Sequence, residues 1–237
     1  MARPRVEHPY IVRLTHWLIA LAMGVLIPSG LEIFAAFPGF GDKIPQRDLF
    51  TPPAMTRLGG WLGGALQWHL SFAWLLIGAG AAYALYQLAS GNARQVLIAP
   101  GDAPGVWPMV RHYFFFGPKP PQYETYNPLQ KLAYTGAISL TVLAVVSGLA
   151  LYKPVQLAWL VTLMGGFRPV RLWHFVAMAG LVAFIPGHLV MVALHGWRNF
   201  ASMWTGGRWV DSAPRLQPGS QDLLRDDLPH SKTDAIG

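Results

Sequence analysis

Residues 171–196, RLWHFVAMAGLVAFIPGHLVMVALHG, constrain this chain more than any other stretch. The run is long enough to cross a bilayer, which takes about 20 predominantly apolar residues. It nevertheless carries three histidines, His174, His188 and His195. A metal-ligating or ionisable side chain at membrane depth is costly, and its default reading is functional. His174 and His188 are 14 residues apart. On a helix that spacing leaves them about 40° apart around the axis and about 21 Å apart along it. Both therefore lie on one face, inside a hydrocarbon core about 30 Å thick, one near each side. Two ligands stacked across the membrane predict two metal centres in series. A single histidine on an apolar helix is more often a packed, hydrogen-bonded residue. Here His16 and His69 sit near the starts of two other apolar segments, which makes the four ligands that two bis-histidine centres need.

The rest of the chain repeats the membrane pattern. Charged residues are 12% of the total, against about 25% in soluble domains. The spans are predicted at about 12–36, 65–89, 128–152 and 171–196, an all-α transmembrane four-helix bundle over residues 1–205. Residues 206–237 are expected to be a flexible cytoplasmic tail. Pro28 predicts a kink in the first span. Gly30, 14 residues after His16 and on the same face at the opposite depth, either lets a flat macrocycle approach the helix or relieves the Pro28 kink or packs against a helix. No internal repeat is evident. Cysteine is absent, which excludes disulfides, iron–sulfur clusters held by Cys, thiolate-ligated haem and covalent haem attachment. The net charge of +7 comes from residues flanking the spans, so it points to membrane lipid and not to nucleic acid.

Lys and Arg number 12 on the side of the N-terminus, second loop and tail, and six on the side of the first and third loops. The bias places both termini in the cytoplasm. The histidines then pair by depth: His69 with His174 near the outer side, His16 with His188 near the inner side. His195 competes with His188, but a His174–His195 separation of about 31 Å would push one centre into the headgroups. Closed zinc sites are tetrahedral and usually include Cys. Two imidazoles from different apolar helices suit six-coordinate haem b, so two haems b are predicted. Arg13 and Arg171, with Arg57, are candidates for the propionates. Their alternative role is to set topology.

With those residues in place, the chain resembles the dihaem cytochrome b membrane subunits of respiratory complexes. These are the formate dehydrogenase gamma subunit, the Ni–Fe hydrogenase b-type cytochrome, the thiosulfate-reductase-type cytochrome b and bacterial cytochrome b561-like proteins. The resemblance covers residues 8–205 and rests on RLTHW (13–17), WHLSFAW (68–74), YNPLQKLAY (126–134) and the His174/His188 pair. It implies that His16, His69, His174 and His188 are the axial ligands. It further implies a quinone, menaquinone or ubiquinone, near Asn127, Gln130 and Lys131, whose alternative role is to cap and anchor the third span. The implied function is electron transfer between the quinone pool of a bacterial inner membrane and a periplasmic, molybdenum-dependent catalytic subunit, in a complex that can itself oligomerise. The chain would then be the electron-transfer subunit of an oxidoreductase. The alternatives are a self-sufficient oxidoreductase for a small substrate such as superoxide, and a histidine-containing transporter. His195 is then a candidate for a propionate, a quinone or the interface, and His112 receives no role.

Overall fold

The computed structural model describes residues 3–6, 8–40, 50–115, 117–118, 126–194 and 197–210. Four long helices dominate: α1 (Tyr10–Ala36), α2 (Leu62–Ala89), α5 (Pro128–Tyr152) and α7 (Phe167–Leu194). Each is long and apolar enough to cross a membrane. A helix of 25 residues rises about 38 Å, more than the hydrocarbon thickness of about 30 Å. Large apolar side chains point outward along the spans, among them Leu21, Trp74, Leu85 and Leu189. In water such a surface would aggregate; in a bilayer the lipid is its solvent. The chain is a multi-pass membrane protein.

The helices are set by local chemistry. Asn127 caps α5: its side chain accepts from the Gln130 N–H, the Gln130 side chain accepts from the Asn127 N–H, and Pro128 occupies the first turn. Pro28 lies inside α1, and its carbonyl accepts a hydrogen bond from the Leu58 N–H of the first loop. Thr15, Ser29, Thr141 and Ser147 return their hydroxyl protons to carbonyls one turn back. That satisfies them where no water is present.

Packing is concentrated in two hairpins, α1 with α2 and α5 with α7, while close backbone approaches between the hairpins are few. Ala22, Leu26 and Leu76 form the core of the first hairpin, with Val145 of α5 reaching it from the second. The loops carry short helices. These are α3 (Ala93–Val96) and α4 (Ala103–Phe115) between α2 and α5, and α6 (Ala158–Leu163) between α5 and α7. After α7 the chain turns into the amphipathic α8 (Trp197–Thr205).

Two features differ from the sequence expectation. Strand β1 (Arg3–Val6) pairs antiparallel with β2 (Gly207–Val210), Arg3 opposite Val210 and Val6 opposite Gly207. The fold is therefore all-α in the membrane but closed by a two-stranded ribbon, and the segment expected to be tail from residue 206 begins as a strand. Ribbon pairing couples the two chain ends, a contact that no local pattern encodes. Residues 211–237 lie outside the described ones.

Candidate metal centre

The four histidines meet as two pairs, at opposite ends of the gap between the hairpins. His69 of α2 faces His174 of α7 with ring centroids 6.1 Å apart. His16 of α1 faces His188 of α7 at 6.2 Å. A metal–imidazole bond is about 2.0 Å, and a five-membered ring with ~1.33 Å bonds has a radius of about 1.1 Å. Two imidazoles on opposite sides of one metal ion should thus have centroids about 6.2 Å apart. Both pairs stand at that separation, the one expected with one ion between them.

Hydrogen bonding fixes the ligating nitrogen at the His69/His174 end. Ser29 Oγ lies 3.1 Å from His69 Nδ1, and Ser147 Oγ lies 3.1 Å from His174 Nδ1. Each serine already donates its single proton to a carbonyl one turn back, Val25 for Ser29 and Leu143 for Ser147. Toward the imidazole each oxygen can then only accept. The Ala144 carbonyl, also only an acceptor, lies 3.0 Å from His174 Nδ1. Both rings therefore carry the proton on Nδ1 and leave Nε2 bare, the tautomer that a metal ligand requires.

Glycines make room for these rings. A Cβ on Gly30 would meet His69 Cε1 at 3.2 Å, and one on Gly148 would meet His174 Cε1 at 3.1 Å. Gly30 thus clears space for the His69 imidazole. Sequence reading missed Ser29, Ser147 and Gly148; their signal was a Ser-Gly pair repeated in the first and third spans.

The His16/His188 end is built differently. His188 stacks on Phe184 at 5.5 Å and His16 meets Trp17 edge-on at 5.1 Å. His16 Nδ1 is buried with no hydrogen-bond partner among the described residues. Trp17 in turn packs on Trp204 at 4.2 Å and donates to the Met203 carbonyl, tying α8 beneath this pair.

The remaining candidates are held by the protein itself. Arg13 donates to the Trp204 carbonyl and Arg171 to the Phe37 carbonyl, with its guanidinium over the Phe40 ring. Arg57 pairs with Glu32 at 3.3 Å. Arg13 and Arg57 each keep a buried Nε with no partner among the described residues, a spare donor for an anion. Asn127 and Gln130 cap α5, and Lys131 binds Asp102 at 3.0 Å. Of the roles weighed for these three, capping and anchoring is the one that their contacts display. His112 bonds the Gly117 carbonyl of its own loop. His195 lies outside the described residues. Among the described residues no three His, Asp or Glu come together, so a closed zinc site has no donor set there.

Residues 7–206 match the family model described as prokaryotic cytochrome b561. The chain belongs to that family. This cytochrome b561 protein is 38% identical over 196 residues to a protein of Azospira oryzae named as a protein-methionine-sulfoxide reductase subunit, YedZ1, covering 79% of this chain and 90% of that one. It is 27% identical over 198 residues to a protein of Cupriavidus necator named as a Ni/Fe-hydrogenase B-type cytochrome subunit, covering 75% and 74%. A counterpart of the latter in Escherichia coli K12 is 25% identical over 195 residues, covering 76% and 78%. Membership makes the chain a membrane cytochrome of b type, and the bis-imidazole geometry fits the haem b that the family implies.

Proposed function

We propose that this cytochrome b561 protein carries electrons across a bacterial inner membrane through two haems b. One would be held by His69 and His174, the other by His16 and His188. The observation that carries this reading is the pair of facing imidazoles at each end of one inter-hairpin gap, both at a separation that one iron ion would bridge. Haem b, when bound, supplies a reversible one-electron couple; the protein supplies ligation, dryness and spacing. Ser29 and Ser147 orient the rings at one end. Stacking on Phe184 and contact with Trp17 orient them at the other. The spare donors of Arg13 and Arg57 would bind propionates, and Arg171 is available for the same role.

With the termini in the cytoplasm, the His16/His188 centre lies toward the cytoplasm and the His69/His174 centre toward the periplasm. Quinol, menaquinol or ubiquinol, would deliver electrons at the cytoplasmic end, where Asn127, Gln130 and Lys131 mark the start of α5. A periplasmic catalytic subunit would dock over the other end. The relative named as a methionine-sulfoxide reductase subunit supports a reductive partner, and the hydrogenase cytochromes support the general plan of a membrane subunit serving a catalytic one.

A pyridine haemochrome assay on purified protein tests the ligands. Two haems b per chain are expected, falling to one in His69→Ala or His174→Ala and to one in His16→Ala or His188→Ala. Wild-type protein without haem, after expression with ample haem supply, would overturn the proposal.

A further inference from the structure

The two hairpins share more than their packing. A shift of 118 residues carries Ser29 and Gly30 of α1 onto Ser147 and Gly148 of α5. A shift of 105 carries His69 of α2 onto His174 of α7. The contacts repeat as well: a serine 3.1 Å from Nδ1, a glycine against Cε1 and a backbone carbonyl, that of Leu26 in one hairpin and Ala144 in the other. The bundle is an internal two-fold repeat that the sequence alone did not disclose. Under this relation the His69/His174 pair maps onto itself. The His16/His188 pair does not. The same shifts carry His16 onto Tyr134 and place Tyr83 where His188 has its counterpart. The repeat therefore contains a second position of the same kind, between α2 and α5, furnished with phenols in place of imidazoles.

That position holds a polar cluster in an apolar setting. Gln87, buried in α2, donates from Nε2 to the Tyr83 hydroxyl at 2.8 Å. Tyr83 thus accepts from Gln87 and keeps its own proton to donate elsewhere. Tyr134 meets Tyr126 edge-on at 5.2 Å, and Tyr83 lies within electrostatic reach of both across the hairpin boundary. Burial, reinforced by Tyr83, pushes the Tyr126 hydroxyl up and keeps it protonated. Three phenols, Tyr83 and Tyr134 inside spans and Tyr126 just before the cap of α5, suit a flat apolar ring that carries acceptor oxygens.

We infer that Tyr83, Tyr126 and Tyr134, with Gln87 orienting Tyr83, form the binding site for a quinone headgroup, at the repeat position equivalent to the His16/His188 centre. The inference rests on the quinone-linked function proposed above and moves the contacts from the α5 cap to the tyrosine cluster.

The test uses haem-loaded protein in nanodiscs, with decylubiquinol and menadiol as probes and stopped-flow haem reduction as readout. Tyr83→Phe and Tyr134→Phe each remove one oxygen and leave the ring. Each is expected to keep two haems per chain and full reduction by dithionite. Each should raise the quinol concentration for half-maximal rate roughly 5–10-fold, the worth of one neutral hydrogen bond, with a larger rise in the double variant. Unchanged half-saturation in the double variant, with wild type reduced by either quinol, overturns the tyrosine site alone. Wild type reduced by neither quinol, while dithionite reduces it, overturns both the site and the quinone-linked reading.

Discussion

Ser29 Oγ accepts a hydrogen bond from His69 Nδ1 at 3.1 Å while giving its own proton to the Val25 carbonyl, so one hydroxyl anchors α1 internally and locks the imidazole of α2. Ser147 does the same for His174. Loss of a group that orients a ligand typically costs about 10–100-fold in metal affinity. Ser29→Ala and Ser147→Ala are expected to weaken retention of the haem proposed at this end by that factor and leave the one proposed at His16/His188 in place. Haem retention during gel filtration, read by difference spectra, checks it. Equal loss of both haems would contradict the assignment of these serines to one centre.

Gly30 and Gly148 predict a steric companion effect. A Cβ at 3.1–3.2 Å from the imidazole Cε1 forces the ring to shift by a few tenths of an ångström. Gly148→Ala should therefore alter the spectrum of the haem proposed at His69/His174 and weaken its binding by about 10-fold, as other disturbances of ligand orientation do. Gly136→Ala in the same helix has open space around its Cβ and serves as the control. Identical spectra for the two variants would refute the cradle.

Glu32 and Arg57 pin the first loop to the end of α1. Their side chains are 14% and 26% exposed at a separation of 3.3 Å. The pair lies between the exposed limit of under about 1 kcal/mol and the loss of about 3–5 kcal/mol on breaking a buried pair. Glu32→Gln is expected to destabilise the protein by about 1–3 kcal/mol, seen as a lower unfolding midpoint in detergent. Exchanging the two residues, E32R with R57E, should recover part of it. A midpoint equal to wild type in Glu32→Gln would show that the Leu58–Pro28 backbone bond holds the loop alone.

Asp102 predicts an acid-sensitive loop. The Ala99 N–H and the Lys131 ammonium hold its carboxyl below the ordinary value of 3.8. A carboxylate with a lowered folded pKa contributes fully above that ordinary value, and the contribution fades as pH falls through the folded value. Protection of the Ala99 amide, corrected for intrinsic exchange, should be constant above about pH 5 and drop below about pH 4. Asp102→Asn should flatten that dependence. The same acid-induced loss in Asp102→Asn would assign it to another group.

Local composition and periodicity were sufficient to read the four spans, because a bilayer demands long, charge-poor helices whatever their neighbours are. Helix spacing placed His174 and His188 on one face, and charge bias ordered the ends, so the partners that the structure brings together, His69 with His174 and His16 with His188, were legible before any coordinates. The proteins that match this chain establish its family, and not which residues hold the cofactor.

Other features were not readable because their partners are distant in the chain. Arg13 is a propionate candidate in the sequence, but the contact of its Nη1 with the Trp204 carbonyl, 191 residues away, is not readable there. The 14-residue spacing places Gly30 on the face of His16 at the opposite depth, but that its neighbour there is His69 depends on how α2 packs on α1. The two-fold repeat was hidden since only a few positions in each hairpin preserve it, and they are recognised by shared contacts rather than by similar sequence. Hydrophobic pattern alone determined that this chain crosses a membrane four times with imidazoles at two depths. The packing of one hairpin against the other decided which serine, glycine and tyrosine serve them, because those contacts depend on the relative rotation of helices, which a one-dimensional pattern leaves free.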